Sequence, residues 1–339
     1  MIRVVLEEPK KLSVQEAPIP TPRPSEVLIR VKACGICGSD VSAYLGKHPF
    51  VKYPVVQGHE FSGEIVELGE SVEHVKKGDR VVVEPSLTCG SCYHCKTGRY
   101  NICNELRVLG FQADGAMAEY ISVNAEKSYR IPPEISFEDA ALVEPAAVAL
   151  HAVRGSSLRV GDNVLILGAG PIGLMLLQCC KAAGASSAIV TDLMDLRLDV
   201  AKSLGADYIF NAKDVDIATA IRSKFDRDGI DVIFEATGSL SAMNQAIELV
   251  RKGSEIMVVG IPPKEVSTKI ALIQDRELLV KGTLMYSYRD YSRVIEMMAK
   301  GKIRTQGMIT HRFPLRDIYR AYQTVEEQPE KILKMLLEI

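Results

Sequence analysis

The chain has 339 residues, which is long for one hydrophobic core and favours two domains. Hydrophobic residues make up 47% and charged residues 25%, a globular composition that excludes general disorder, and 41 basic residues nearly balance 43 acidic ones. That balance gives no reason to expect nucleic acid or a membrane surface as a partner. Because no apolar run reaches the ~20 residues that span a bilayer, and the N-terminus turns charged early, we expect a soluble, cytoplasmic protein.

The two halves of the chain differ in pattern. The first 130 residues predict short strands broken by turns, at Arg3–Leu6, Glu26–Val31, Gly63–Leu68 and Asp79–Glu84. From about residue 155, apolar runs alternate with helix-length segments, which predicts a parallel sheet covered by helices on both faces. The six strands expected there are Val164–Leu167, Ala188–Thr191, Tyr208–Phe210, Val232–Phe234, Ile256–Val259 and Leu278–Val280. The tail, from about Tyr288, is expected to rejoin the first half.

A glycine-rich turn separates the first strand of the second half from its helix. Its residues, Gly168 to Gly173, read GAGPIG, in the strand-turn-helix context that gives this motif its meaning. The glycines permit a tight turn, close approach of a pyrophosphate and helix packing, and the helix N-terminus faces the phosphate charge. Asp192 ends the next predicted strand, near the position of the acid that binds the ribose of NAD. Asp192 could instead cap the following helix, and Arg197 nearby could accept the 2′-phosphate of NADP.

Two sets of residues have the character of metal ligands. Four closely spaced cysteines predict a closed, structural zinc site: Cys89, Cys92, Cys95 and Cys103. A dispersed set offers a thiolate, an imidazole and carboxylates, as a catalytic zinc with an open position requires: Cys37, His59, Glu60 and Glu144. Each dispersed residue also has a simpler interpretation, since a His-Glu pair is usually a surface pair and Glu-Pro often starts a helix.

The motifs occur in the order typical of one known family. They are GICGSD, GHEFSGEIVELG, GDRVVVEP, the four cysteines, DGAMAEY, VEPAAVALHA, GAGPIG and THRFPL. The chain resembles the zinc-containing medium-chain alcohol dehydrogenases, closest to the sorbitol (polyol) and threonine dehydrogenase branch. The resemblance implies an α/β protein with a GroES-like, β-rich catalytic domain (1–154, with 288–339 returning to it). It also implies a Rossmann NAD-binding domain with a doubly wound parallel sheet (155–287), and an active site in the cleft between the two.

The resemblance also implies individual roles. Cys37 and His59 would hold the catalytic zinc. In polyol dehydrogenases the residue matching Glu60 is the third ligand and the one matching Glu144 lies beside the zinc-bound water or substrate, but other branches exchange these two roles. Asp40 would orient His59, and Ser39 would receive the alcohol proton, although the histidine that passes it on in many relatives is Ser42 here. The cofactor contacts would be Gly168, Gly170, Pro171, Ile172, Gly173, Asp192, Arg197, Val259, Gly260, Ile261 and Met285. Tyr44 and Tyr286 are candidate substrate contacts.

These roles predict a zinc-dependent, NAD-linked enzyme that oxidises a secondary alcohol to a ketone. The small-molecule substrate would be a polyol, a sugar acid or a sugar-alcohol phosphate. Ala43 and Met285 depart from the tyrosine and arginine of polyol dehydrogenases, which argues against sorbitol itself. The alternatives are L-threonine, a short diol such as butanediol, or a nonenzymatic NAD(P)-binding regulator. A homodimer or homotetramer joined through Rossmann-domain edge strands is expected.

Overall fold

The structure, a computed structural model, describes residues 1–225, 229–262 and 267–339. Backbone contacts divide it into two units. The first unit consists of Met1–Glu144, Ser287–Lys300 and Thr305–Ile339, and the second of Pro145–Tyr286 and Gly301–Arg304. The expected domain boundaries, at residues 154 and 287, stay a prediction.

Short strands dominate the first part of the chain. They are β1 (Ile2–Glu8), β2 (Lys11–Glu16), β3 (Glu26–Ile36), β4 (Val55–Val56), β5 (Glu60–Leu68), β6 (Arg80–Val83), β7 (Ser86–Leu87), β8 (Arg107–Val108), β9 (Tyr120–Asn124) and β10 (Ser128–Arg130). The helices among and after them are α1 (Gly38–Tyr44), α2 (Tyr93–Lys96), α3 (Phe137–Ala140) and α4 (Val143–Gly155). All four strands predicted for this half are confirmed, with shifted ends.

The second unit alternates strands with helices. Its strands are β11 (Asn163–Leu167), β12 (Ser187–Asp192), β13 (Tyr208–Asn211), β14 (Val232–Glu235), β15 (Glu255–Val258) and β16 (Leu279–Gly282). Its helices are α5 (Pro171–Ala182), α6 (Asp195–Ser203), α7 (Ile217–Arg222), α8 (Leu240–Leu249) and α9 (Ile270–Asp275). The strands pair in parallel in the order β13-β12-β11-β14-β15-β16, which is the Rossmann order and confirms the predicted fold class.

The last part of the chain adds α10 (Tyr288–Ala299), β17 (Ile309–Pro314), α11 (Ile318–Glu327) and β18 (Lys334–Glu338). Strand β18 pairs with β3, so the C-terminal strand lies inside a sheet of the first unit. That sheet has the order β10-β6-β5-β3-β18-β17, with β9 also on β3, and a smaller sheet has the order β2-β1-β4. None of the helices in the described part of the chain combines the length and apolar character needed to cross a membrane.

Each unit has its own buried core. In the first unit, strands β1, β3 and β5 supply Leu6, Ile29 and Ile65, which are fully buried. In the second, the parallel strands supply Leu165 and Ile233, also fully buried, as expected for strands covered on both faces. Each such side chain stabilises the fold by about 1.5–3 kcal/mol relative to an exposed one.

The glycine-rich turn lies at the carboxyl end of β11. Gly168 has a φ of +101°, which a side chain would disfavour, and Gly170 is the N-cap of α5, followed by Pro171 at the first helical position. A Cβ atom on Gly173 would overlap the backbone oxygen of Gly168, whereas one on Gly170 would meet no atom within 4 Å in the described ranges, its chain neighbours aside. Gly173 is therefore required by the fold, and Gly170 is not required by protein packing.

We expect Gly173→Ala to destabilise the second unit by about 1–3 kcal/mol or more, because the clash is with backbone that must shift. Gly170→Ala is the matched control and should stay close to the parent in cofactor-free protein. Thermal unfolding of both variants checks this, and a Gly173→Ala protein with the parental Tm would contradict the packing argument.

Candidate functional site

The four predicted cysteines meet in one loop of the first unit. Cys92 is the N-cap of α2, and Cys103 follows a 3₁₀ helix, Tyr100–Ile102. The sulfur atoms of Cys89 and Cys103 are 3.5 Å apart, those of Cys92 and Cys103 3.9 Å, and those of Cys89 and Cys95 4.0 Å. Four sulfurs around a tetrahedral zinc lie about 3.8 Å apart, since each Zn–S bond is about 2.3 Å.

Backbone N–H groups donate hydrogen bonds to the sulfurs of Cys89 and Cys103. Hydrogen bonds from the backbone of Ser91 and Cys92 are the main causes that lower the pKa of Cys89 to about 6. Cys89 N–H in turn donates to the sulfur of Cys103 at 3.4 Å. All four cysteines are free of disulfides. The donor set and its spacing therefore fit a closed zinc site.

The dispersed ligands are brought together by strand pairing. Cys37 follows β3 as the N-cap of α1, and His59-Glu60 opens β5. Strands β3 and β5 are antiparallel, with Gly35 opposite Glu60. One ligand atom each of Cys37, His59 and Glu60 lies within 4.8 Å of the others. The structure thus groups three of the four residues predicted for the catalytic metal.

Asp40 organises two of these ligands from a fully buried position. Its Oδ2 accepts the backbone N–H of Cys37 at 2.9 Å, and its Oδ1 lies 3.6 Å from Nδ1 of His59. Burial is the largest single influence and lowers the pKa of His59, but Asp40 and Cys37 together outweigh it and raise that pKa well above its usual value. Both Oδ1 and Nδ1 are buried, and neither has a hydrogen-bond partner within ordinary range among the residues that the structure describes. A metal on the other ring nitrogen would keep the proton on Nδ1, facing Asp40, so this arrangement fits a zinc ion.

Glu60 has a buried partner that the sequence patterns did not reveal. Nζ of Lys334, on β18, donates to Oε1 of Glu60 at 2.8 Å and to Oε2 at 2.6 Å. The two side chains are 3% and 1% exposed. Burial lowers the pKa of Lys334, but Glu60, Cys37 and Glu144 together outweigh it and raise that pKa. The sequence does contain a signal for this pair, namely a lysine within an apolar strand, because a buried lysine requires a partner.

Glu144 lies outside the 4.8 Å group but is electrostatically close to it. It is the second residue of α4, 9% exposed, and its charge contributes to the raised pKa of Lys334. Ser39, the second residue of α1, is half-buried, and no residue in the described ranges hydrogen-bonds to its hydroxyl. The structure therefore keeps both predicted catalytic residues in the unit that contains the ligand group.

The two predicted substrate tyrosines differ in their surroundings. The ring centroid of Tyr44 lies 4.5 Å from that of Tyr322. The Tyr322 hydroxyl donates to Gln57, whose amide donates to the backbone oxygen of Asp40 at 2.9 Å. Tyr286, in the second unit, is 1% exposed. Tyr322 and Gln57 were not predicted, and they connect Tyr44 to the residue that orients His59.

The predicted cofactor residues lie at the carboxyl ends of the parallel strands. Asp192 ends β12, and its carboxylate accepts the backbone N–H groups of Ala169 at 2.7 Å, Leu193 at 2.8 Å and Met194 at 3.0 Å. Nη1 of Arg197 is 3.8 Å from this carboxylate. Asp192 thus joins the glycine-rich turn to the start of α6.

The remaining predicted cofactor residues show no common contact pattern. The N–H groups of Val259 and Gly260 both donate to the backbone oxygen of Glu235 at 2.9 Å. Ile261 is 73% exposed, Ile172 is half-buried, and Met285 has a φ of +50°. Their contacts to a cofactor stay a prediction.

Comparison with known proteins identifies a matching protein family for each half of the chain. Residues 23–133 match the model of the alcohol dehydrogenase GroES-like domain, and residues 171–300 match that of the zinc-binding dehydrogenases. The chain is 36% identical to a sorbitol dehydrogenase of Bacillus subtilis, covering 99% of this chain and 97% of that protein. It is 37% identical to a D-arabitol-phosphate dehydrogenase of Enterococcus avium, covering 94% and 92%.

A solved structure is similarly close. It is that of an Escherichia coli alcohol dehydrogenase (rspB) in complex with NADH, with a TM-score of 0.93 and 34% identity. The match covers 100% of this chain and 99% of that one. The GroES-like and Rossmann expectations are confirmed.

The Glu60–Lys334 pair provides a test of whether Glu60 binds the metal or serves only in packing. Removing one partner of a buried ion pair destabilises a protein by about 3–5 kcal/mol, because the other charge is left uncompensated. We expect Lys334→Met to lower the Tm strongly when the catalytic zinc has been removed. The loss should be smaller in zinc-loaded protein, where the metal gives Glu60 another positive partner.

Thermal unfolding of both forms checks this prediction. The double variant Glu60→Gln/Lys334→Met removes both charges and should recover part of the lost stability in the metal-free form. Equal Tm losses for Lys334→Met with and without zinc would show that Glu60 gains nothing from the metal.

Proposed function

Because the chain belongs to the zinc-binding alcohol dehydrogenase family, as its motifs predicted, we propose that it oxidises a secondary alcohol of a polyol, sugar acid or sugar-alcohol phosphate to a ketone with NAD. The observation that carries the proposal is the grouping of Cys37, His59 and Glu60 within 4.8 Å. Asp40 lies beside His59, and Lys334 forms an ion pair with Glu60. A regulator that had lost its enzymatic activity would have no need of this ligand set.

The proposed roles follow from the chemistry of the side chains. Cys37, His59 and Glu60 would hold a zinc ion, which supplies a Lewis acid for the alcohol oxygen, while bound NAD accepts the hydride. Asp40 would keep His59 in one orientation. Ser39 would take the alcohol proton and pass it to water or another base, because Ser42 cannot act as a histidine relay. Glu144 would stay beside the metal, outside the three ligands.

The substrate class is supported by the named relatives. The two curated relatives act, by their names, on sorbitol and on D-arabitol phosphate, so both neutral and phosphorylated polyols belong to the candidates. A polyol offers many secondary alcohols and several oxygens for orientation. L-threonine and a short diol remain the alternatives, and measured activity decides between them.

Asp192 supports NAD as the preferred cofactor. Its carboxylate lies beside the glycine-rich turn, where it would bond the ribose hydroxyls and repel a 2′-phosphate. Arg197 is 3.8 Å from this carboxylate, so its charge is partly directed to Asp192. Gly168, Gly170 and Gly173 would face the pyrophosphate or permit its approach.

We also propose a homodimer or homotetramer in the cytoplasm. Strand β16 ends the order of the six-stranded sheet in the described residues, and such an edge can pair with a second copy. Leu279 on this strand is 54% exposed, and nearby in sequence Leu284 is 44% exposed. The location is supported by the four free thiols of the cysteine loop, which need a reducing compartment to stay available to zinc.

The proposal is tested by NADH formation over polyols, aldonic acids, sugar-alcohol phosphates, L-threonine and diols. We expect the highest kcat/KM with a polyol or one of its derivatives, and loss of turnover in Cys37→Ser, which should keep its fold and one zinc. Cys92→Ser, the matched thiol control, should instead lower stability because it opens the closed site. A best activity with L-threonine or butanediol would replace the proposed substrate. A stable but inactive Cys92→Ser beside an active Cys37→Ser would reverse the two zinc roles.

A second test addresses the cofactor. The parent should prefer NAD over NADP, and Asp192→Ala should reduce this preference, because the substitution removes both the ribose acceptor and the repulsive charge. Steady-state kcat/KM for each cofactor measures the effect, with Asp195→Ala on the neighbouring helix as the control. Comparable values for both cofactors in the parent would refute the role of Asp192.

A further inference from the structure

A row of aromatic rings leads away from the ligand group of the first unit. The ring centroids of His59 and Phe111 are 5.0 Å apart, and Phe111 is 6% exposed. The His48 ring stacks on Phe111 with centroids 4.6 Å apart and an angle of 4° between the ring planes. His48 is thus separated from His59, a proposed metal ligand, by the single ring of Phe111.

The loop that contains His48 is held in place by backbone contacts. The N–H groups of Lys47 and His48 both donate to the backbone oxygen of Ser42, at 2.8 and 3.2 Å. On the other side, Lys52 N–H donates to the oxygen of Phe111 at 3.0 Å, and the Gln112 amide donates to the oxygen of Phe50 at 2.7 Å. These contacts, together with the stacking, restrict the position of the His48 ring before any substrate arrives.

The hydrogen bonding of His48 determines which nitrogen carries the proton. Its Nδ1 accepts the backbone N–H of Phe50 at 3.3 Å, so the neutral ring has its proton on Nε2. Burial is the largest cause that lowers the pKa of His48, which favours this neutral form at neutral pH. Within the described ranges Nε2 has no protein hydrogen-bond partner. The ring therefore offers an uncharged N–H donor that is separated from His59 by the single ring of Phe111.

We propose that His48 is a specificity-determining residue whose Nε2–H donates to a hydroxyl of the substrate that lies beyond the oxidised carbon. An uncharged donor suits a neutral hydroxyl, so the site selects a polyol over a simple secondary alcohol of the same length. The inference rests on the proposed function, because it needs the oxidised carbon to lie at the Cys37–His59–Glu60 group. His48 takes no part in the hydride step.

Variants of His48 separate its stacking from its hydrogen bond. His48→Phe keeps a ring on Phe111 and removes the donor. His48→Asn keeps an acceptor near the Phe50 N–H but is too short to replace Nε2–H, and it serves if the phenylalanine variant does not fold. His48→Gln places an amide N–H near the position of Nε2 and should restore part of the selectivity. Lys47→Gln, an exposed change in the same loop, is the control.

The measurement is the ratio of kcat/KM for the best neutral polyol to kcat/KM for an unbranched secondary alcohol of equal chain length. A lost hydrogen bond to an uncharged group costs about tenfold in binding, so this ratio should fall about tenfold in His48→Phe and His48→Asn. The change should come mainly from KM of the polyol. The ratio should stay parental in Lys47→Gln.

The outcomes distinguish this inference from the proposed function. An unchanged ratio in His48→Phe, or equal losses with both alcohols, would refute the role of His48 while the parental polyol activity stands. A parent that oxidises the simple alcohol but no polyol would refute the polyol proposal and the inference together. Thermal unfolding and NADH binding of each variant show whether a change reaches beyond the substrate.

Discussion

Gly35 lies opposite Glu60 in the antiparallel pair of β3 and β5, and a Cβ atom at residue 35 would overlap the Glu60 carboxylate. This close approach lets Glu60 reach across β3 to Lys334 on β18, the next strand on the far side of β3. Cys37 lies two residues beyond Gly35. A shift of one residue in this register would turn Glu60 to the other face of the sheet. The candidate catalytic site therefore depends on one strand pairing before it depends on any metal.

Buried groups of both signs of charge lie around the β3–β5 pairing. Asp40, Glu60 and Glu144 are buried acids, and each would be costly to bury without a positive or hydrogen-bonding partner. Lys334 compensates Glu60 directly, and Asp40 interacts with the backbone of Cys37 and the ring of His59. The Glu60 carboxylate, the Cys37 thiol and the His59 ring form a donor set of the kind that a divalent cation binds. Stability of the fold and affinity for the metal are thus coupled through the same groups.

Another buried carboxylate connects the cysteine loop to the rest of the first unit. Glu84, 1% exposed, accepts hydrogen bonds from Lys127 at 2.7 Å, Tyr129 at 2.9 Å and Tyr100 at 3.1 Å. Burial, followed by the Glu84 charge, raises the pKa of both tyrosines, so they act as donors throughout the ordinary pH range. Because Tyr100 lies three residues before Cys103, this network positions the cysteine loop, with its closed zinc site, relative to strand β6. Folding of the loop is thereby coupled to folding of that strand.

The sequence by itself determined what depends on neighbouring residues. Apolar runs separated by glycine-containing turns predicted the six parallel strands, and the spacing of four cysteines predicted the closed metal site. Both signals could be recognised because each lies within a short stretch of chain. The tertiary structure decided which distant residues meet. Lys334 is 274 residues from Glu60, and Phe111 connects His59 to His48 across separate loops. A lysine in an apolar strand indicates that a partner is required, but it does not identify that partner. Strand register and packing determine the partner, because they depend on contacts throughout the first unit.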